Sequence, residues 1–258
     1  MSLIRLDHDG PLTVLSIDSQ PLNLFDQELM GQLSEAVDAL VAGPPRGLLV
    51  RAEGRVVSGG VDVHVFDGLS PEQAAAMWVD LLDLVHRVEQ LPLPTVFAAH
   101  ALCLTAAFEL SLGCDILLAS ESARFGLVET VVGLTPAMGG TQRLVERAGP
   151  ARARELVMTG ELYSATTLER WNVVNRVLPD DGFDEAARSF ARKLATGPTR
   201  AHAATKSIVR AALDEGGARG ADQCVPRLAG DLFATTDLQR AVRSFLEHGP
   251  GHATYEGR

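Results

Sequence analysis

Through the first two thirds of this 258-residue chain, short apolar runs alternate with stretches whose apolar residues recur every three or four positions. That change of rhythm constrains the fold more than any other feature. A run of four to eight apolar residues between glycine or proline signals reads as a buried strand, and a three-to-four spacing reads as an amphipathic helix. Leu3 to Asp18 reads as two strands about the turn Asp9-Gly10-Pro11. Leu29, Leu33, Val37 and Leu40 mark a helix that Gly43-Pro44-Pro45 stops. Gly47 to Arg51 is a short strand. Pro71 opens a second helix carrying Leu81, Leu84, Val85 and Val88 on one face, and Pro92 and Pro94 close it. Thr95 to Ala99 is a strand, Ala106 to Leu112 a short helix, Cys114 to Ala119 a strand, and Arg124-Phe125-Gly126 an extended piece. A helix is expected from Gly139 to near Gly149, and from Leu168 the pattern is mostly helical. Alternating strands and helices argue for an α/β fold. No repeat or linker divides the chain, so one domain with a helical C-terminal extension is expected.

Composition narrows the function. The formal net charge is −10, with no run of lysine and arginine, so a polyanion is not the expected main partner. A small anionic ligand needs only a helix N-terminus or a few local cations. Cys103, Cys114 and Cys224 are odd in number and widely spaced, which fits neither a disulfide framework nor a metal knuckle. No metal and no nucleic acid are expected. The most apolar stretch, Pro94 to Leu112, contains His100, Thr105 and Glu109, so it is not a membrane span. A cytoplasmic location is expected.

Three segments carry the chemistry. The first is Val57-Ser58-Gly59-Gly60-Val61-Asp62-Val63. The second runs from Pro94-Thr95-Val96 to Glu109-Leu110-Ser111-Leu112-Gly113-Cys114-Asp115. The third is Ala123-Arg124-Phe125-Gly126-Leu127-Val128-Glu129, followed by Gly133-Leu134-Thr135-Pro136 and Gly139-Gly140-Thr141-Gln142-Arg143-Leu144. In this order and at this spacing they resemble the crotonase superfamily, the enoyl-CoA hydratase/isomerase family. The resemblance implies a crotonase (ClpP-like) spiral of repeated ββα units, with residues 1–190 as core and residues 191–258 as a helical trimerisation region. It implies an acyl-CoA substrate and no cofactor beyond the coenzyme A carried by that substrate.

The chemistry can be stated independently. Reaction at an acyl thioester places negative charge on its oxygen, and two preorganised N–H groups stabilise that charge. One donor suits a tight turn, the other a helix N-terminus with its unpaired N–H groups. By resemblance these are the N–H groups of Val61 and Ala106. Glu109 lies one helical turn beyond Ala106, on the same face, and Glu129 follows the third segment's extended piece. Two carboxylates can hold a water, take its proton and deliver a proton to carbon. The resemblance makes Glu109 and Glu129 the catalytic pair of an enoyl-CoA hydratase. Other readings are an enoyl-CoA isomerase, a thioester hydrolase, or a silent acyl-CoA binder. Gly59, Gly60, Val61, Asp62, Val63 and His64 are expected along the coenzyme A moiety. Asp62 also reads as a helix cap, while His64 and His100 lack partner motifs.

The chain departs from the family pattern at several positions. His100-Ala101 replaces Asn-Gly, Thr105-Ala106-Ala107 replaces three glycines, Val61 replaces alanine, and Val128 replaces the proline before Glu129. The added side chains are expected to narrow the pocket. A trimer or a dimer of trimers is expected, by resemblance and because the stripes Phe183/Ala187/Phe190/Leu194 and Leu228/Leu232 need burial.

Overall fold

The computed structural model describes residues 2–214 and 217–258. The strands are β1 (Ile4–Asp9), β2 (Leu12–Ile17), β3 (Gly47–Ala52), β4 (Thr95–Ala99), β5 (Leu102–Leu104), β6 (Ile116–Ser120), β7 (Arg124–Gly126), β8 (Tyr163–Ser164) and β9 (Arg176–Leu178). The helices are α1 (Gln27–Ala42), α2 (Pro71–Gln90), α3 (Thr105–Leu112), α4 (Gly140–Thr159), α5 (Ala165–Arg170), α6 (Phe183–Ala195), α7 (Thr199–Asp214), α8 (Ala218–Asp222), α9 (Val225–Leu232) and α10 (Thr236–His248). Six strands form one sheet in the order β1-β2-β3-β4-β6-β9, and β5-β7-β8 form a second. The β1–β2 hairpin is antiparallel, and every later pairing in the large sheet is parallel.

The central strands β2, β3, β4 and β6 are buried on both faces, which is why they are largely apolar runs, whereas the edge strands β1 and β9 keep exposed positions. Leu15, Ile17, Leu48, Val50, Phe97, Ala99, Leu117 and Ala119 point into the main core. The intervening Leu12, Val14, Leu49, Val96, Ala98 and Leu118 pack instead on Phe183, Ala187, Ala191 and Ala195 of α6. The α6 stripe is therefore covered by the chain's own sheet, with Phe190 and Leu194 partly buried beside it. Each such large side chain contributes about 1.5–3 kcal/mol when fully buried.

Several elements differ from the sequence expectation. The helix expected to end near Gly149 resumes at Pro150 and reaches Thr159. Gly149 breaks it with φ 79° and ψ 164°, outside helical values. The strand expected from Cys114 begins at Ile116, because Asp115 is turned to accept from the Thr95 N–H and hydroxyl, both at 2.8 Å. β5 and β8, of three and two residues, are too short to show a period. β9 interrupts the C-terminal part that reads as helical, extending the large sheet through pairing with β6.

Candidate active site

The small sheet and the connection after β3 bring the first two segments together. Leu104 N–H donates to Ser58 O at 3.2 Å, and Val57 N–H donates to Leu102 O at 2.9 Å. These bonds lay the 57–61 turn along β5 and against the start of α3. The turn is braced from beneath by Asn23, which is fully buried. Its amide donates to the carbonyls of Glu53 at 2.8 Å and Val56 at 3.0 Å, and its Oδ1 accepts from Ser19 N–H at 2.7 Å. Ser58 Oγ donates to Asn23 O at 2.7 Å and accepts from Gly60 N–H at 2.9 Å. Neither Asn23 nor the Ser58 hydroxyl stands out in the sequence, because these carbonyl partners lie 30 or more residues away along the chain.

Val61 stands opposite Phe25 in a parallel bridge. Phe25 N–H donates to Gly60 O and Phe25 O accepts from Asp62 N–H, so both of its backbone bonds go to the residues flanking Val61. The N–H of Val61 consequently points to the other side, away from Phe25. Ala106 is the second residue of α3, and no side chain caps that helix. Its N–H is one of the four that an α-helix leaves without an internal partner. The chain thus presents one free N–H from a turn and one from a helix start, at segments stitched together by hydrogen bonds.

Thr105, where glycine was the expected type, holds φ at 44°. A β-branched residue in that left-handed region costs on the order of 1–3 kcal/mol. Its side chain fills the space beside Gly60: a Cβ built on Gly60 would lie 2.9 Å from Thr105 Oγ1. Gly60 itself has φ 109°, so glycine is required there for both reasons.

Glu109 is buried on α3, and its Oε2 accepts from two backbone N–H groups, Met138 at 2.8 Å and Gly140 at 2.7 Å. Gly140 begins α4 and sits so close that a Cβ there would be 2.8 Å from Glu109 Cγ. Arg143, one turn along α4 and also buried, donates to Gly139 O at 3.3 Å and pairs with Glu89 at 2.7 Å. It steadies the turn whose N–H groups hold Glu109. Glu129 opens a 3₁₀ turn over Glu129–Val132 after β7. It is half-buried, and its Oε2 has no hydrogen-bonding protein group.

Burial raises the pKa of both acids. Glu109 is pushed up to about 8 by burial, with the Gly140 N–H pulling it down and the charge of Glu129 adding to the rise. Glu129 is pushed up to about 7, again by burial. The charge of Glu129 is felt at Glu109, so the two carboxyl groups lie near enough to influence each other. Two acids near neutrality, beside two unpaired N–H groups, can donate and accept a proton in one turnover at ordinary pH.

The remaining expected residues fall around this centre. Gly59 and Gly60 form the turn, and Asp62 caps the 3₁₀ turn Val63–Phe66 by accepting from His64 N–H at 3.0 Å. The His64 ring is almost fully exposed and meets Asp62 at 2.6 Å, and that carboxylate raises the imidazole pKa. His100 does not join the pair: its Nε2 lies 3.0 Å from Gly54 O, tying together the segments that leave β4 and β3. Surface depressions of about 530 Å³ at Ile4–Ala36 and about 440 Å³ at Arg51–Asp184 are lined by neither glutamate.

The family model described as enoyl-CoA hydratase/isomerase matches residues 10–256 of this chain. Among curated relatives, a "1,2-epoxyphenylacetyl-CoA isomerase" of Escherichia coli (strain K12) is 33% identical over 195 residues, 74% of each chain. A "Crotonyl-CoA hydratase" of Syntrophomonas wolfei is 28% identical over 251 residues, 95% of each chain. A solved enoyl-CoA hydratase structure from Bacillus anthracis superposes with TM-score 0.90 at 26% identity, covering 99% of this chain and 100% of that one.

Proposed function

This chain belongs to the enoyl-CoA hydratase/isomerase family, within the crotonase superfamily, and we propose that it adds water across the double bond of a 2-enoyl-CoA. The observation that carries this reading is the pair Glu109 and Glu129, both with pKa values raised toward neutrality. In the proposed reaction the thioester oxygen sits between the N–H groups of Val61 and Ala106. One carboxylate takes a proton from water as the water oxygen bonds to C3. The π electrons move to the thioester oxygen as an enolate, and the other carboxyl group protonates C2. Hydrogen bonds and burial act against each other in this pair. Glu109 accepts two N–H bonds, which favour its charged form, whereas Glu129 Oε2 has no donor. Burial outweighs those bonds and leaves Glu109 the more basic of the two, at about 8 against about 7, so near neutral pH the pair shares a proton, one carboxylate serving as base and the other carboxyl group as acid.

Coenzyme A would run past the Gly59–His64 turn, with Asp62 and the exposed His64 at its edge. No metal is required in this scheme, and among the described residues no three histidine, cysteine or acidic side chains are grouped to hold one. The test is direct. Crotonyl-CoA should lose its conjugated absorbance on adding the protein, with 3-hydroxybutyryl-CoA as the product. A second reading, double-bond isomerisation, is supported by the family description, which covers enoyl-CoA hydratases and isomerases together. It would show instead as conjugated absorbance gained from 3-enoyl-CoA. Binding of acyl-CoA with neither change would mean that the narrowed hole has left a silent binder.

A further inference from the structure

Thr105 is the residue at which this chain departs most sharply from the glycines of the pattern, and it is not neutral filler. Its side chain is 6% exposed and its Oγ1 has no hydrogen-bonding protein group. A buried hydroxyl without a partner is unfavourable, and native chains rarely keep one without a use. Its backbone is also held at φ 44°, where threonine is disfavoured and glycine is not. Two independent penalties therefore fall on one side chain, in the loop that presents the helix-start N–H.

The position gives the hydroxyl its direction. Thr105 precedes Ala106 in α3, and its Oγ1 packs over Gly60, which precedes Val61. The hydroxyl thus lies between the residues immediately before the two free N–H groups. Glu129 Oε2 and Thr141 Oγ1 are likewise buried without partners. Thr141 follows Gly140, whose N–H holds Glu109. Unpartnered polar atoms are thus found on α3, on the 3₁₀ turn of Glu129 and on α4, the elements that hold the two glutamates and the Ala106 N–H.

We propose that the Thr105 hydroxyl is a third donor to the thioester oxygen, alongside the N–H groups of Val61 and Ala106. This rests on the acyl-CoA reading of the site. A hydroxyl donates its hydrogen to an oxyanion in a short, charge-assisted bond. The demand for that bond grows as the enolate forms, so the contribution is to the chemical step more than to binding. A side-chain donor at this position can be aimed by rotation about one bond.

Thr105→Val keeps the branched shape and removes only the hydroxyl, and Thr105→Ser keeps the hydroxyl. With the full-length protein, Thr105→Val should lower kcat by about 10²- to 10³-fold with little change in KM, the range found when one such donor is lost. Thr105→Ser should stay much closer to the parent. The second readout is the absorption band of bound cinnamoyl-CoA, which shifts to the red when the thioester carbonyl is polarised. The shift should shrink in Thr105→Val and be restored in Thr105→Ser, while the melting temperature of Thr105→Val stays level or rises, since no protein hydrogen bond is lost. A Thr105→Val protein with the parental red shift overturns the proposal, whatever its kcat, because a structural role would leave the carbonyl unpolarised by this group. A parent protein that produces no red shift overturns both the proposal and the acyl-CoA reading beneath it.

Discussion

At the scale of single residues, the cost of the site is concentrated in Glu109. Removing a carboxyl group from water favours its neutral form, and two backbone N–H donors offset only part of that. Glu109→Gln and Glu129→Gln should each keep the fold and lower hydration by about 10² to 10⁴, the usual contribution of a general acid or base. Near-parental turnover in both variants, followed by crotonyl-CoA absorbance, would end the two-carboxylate mechanism. The same raised pKa has a thermodynamic consequence. Between the ordinary carboxyl pKa and about 8, the folded protein holds a proton on Glu109 that the unfolded chain has released. Stability should therefore decline as pH rises through that window, by on the order of 3 kcal/mol from this group. Urea unfolding at pH 5, 6.5 and 8 would show the slope, and Glu109→Gln should flatten it. Asn23 carries a different load. Asn23→Ala leaves three carbonyls and the Ser19 N–H without their partner. A loss of about 1–3 kcal/mol is expected, and cinnamoyl-CoA titration should show weaker binding because the Gly59–Val61 turn loses its brace.

At the scale of elements, the site depends on how closely α3 and α4 approach. Neither helix has an unusual sequence by itself. What matters is that α4 starts with glycine where Glu109 needs room and a donor. Gly140→Ala places a methyl group 2.8 Å from Glu109 Cγ and 3.0 Å from Oε2. Helix propensity favours alanine by about 1 kcal/mol, so a propensity argument predicts a gain in stability. The packing argument predicts a loss, with Glu109 displaced and activity reduced at least tenfold. A thermal melt with a hydration assay decides between them. The motif order already placed Glu109 one turn beyond Ala106, because helix geometry alone puts residues three apart on one face. It could not place Met138 and Gly140 beside that carboxylate, which requires the chain to return after β7 and a 3₁₀ turn.

At the scale of the whole molecule, the stripes expected to need a neighbour part company. Phe183, Ala187, Phe190 and Leu194 are covered by the large sheet of the same chain. The α9–α10 region is not. Phe233, Val242, Phe245 and Leu246 are 69, 51, 59 and 78% exposed, and Leu228 and Leu232 are only partly buried. Apolar surface of that kind is unusual on a monomer. We propose that these helices pack on other copies of the chain in a trimer or a dimer of trimers. Light scattering at micromolar concentration should give at least three times the 27.5 kDa chain mass. Phe245→Glu with Leu246→Glu should reduce it toward one chain. A single-chain mass for the parent protein would refute the assembly.

Local physics was legible in the amino-acid order. The β1–β2 turn, the α1 and α2 stripes and the buried runs of β3 and β4 follow from periodicity and from glycine and proline signals, which act over a few residues. The order of the three motif segments likewise pointed to the family. Tertiary structure decided the rest. A carboxylate has no raised pKa until a core surrounds it, and Asn23 has no role until three distant carbonyls converge on its amide. Thr105 reads only as a bulkier residue in place of a glycine until its φ and its unpartnered hydroxyl are seen together. These properties depend on which groups meet across long stretches of chain, and sequence spacing carries no distance between residues that only folding brings together.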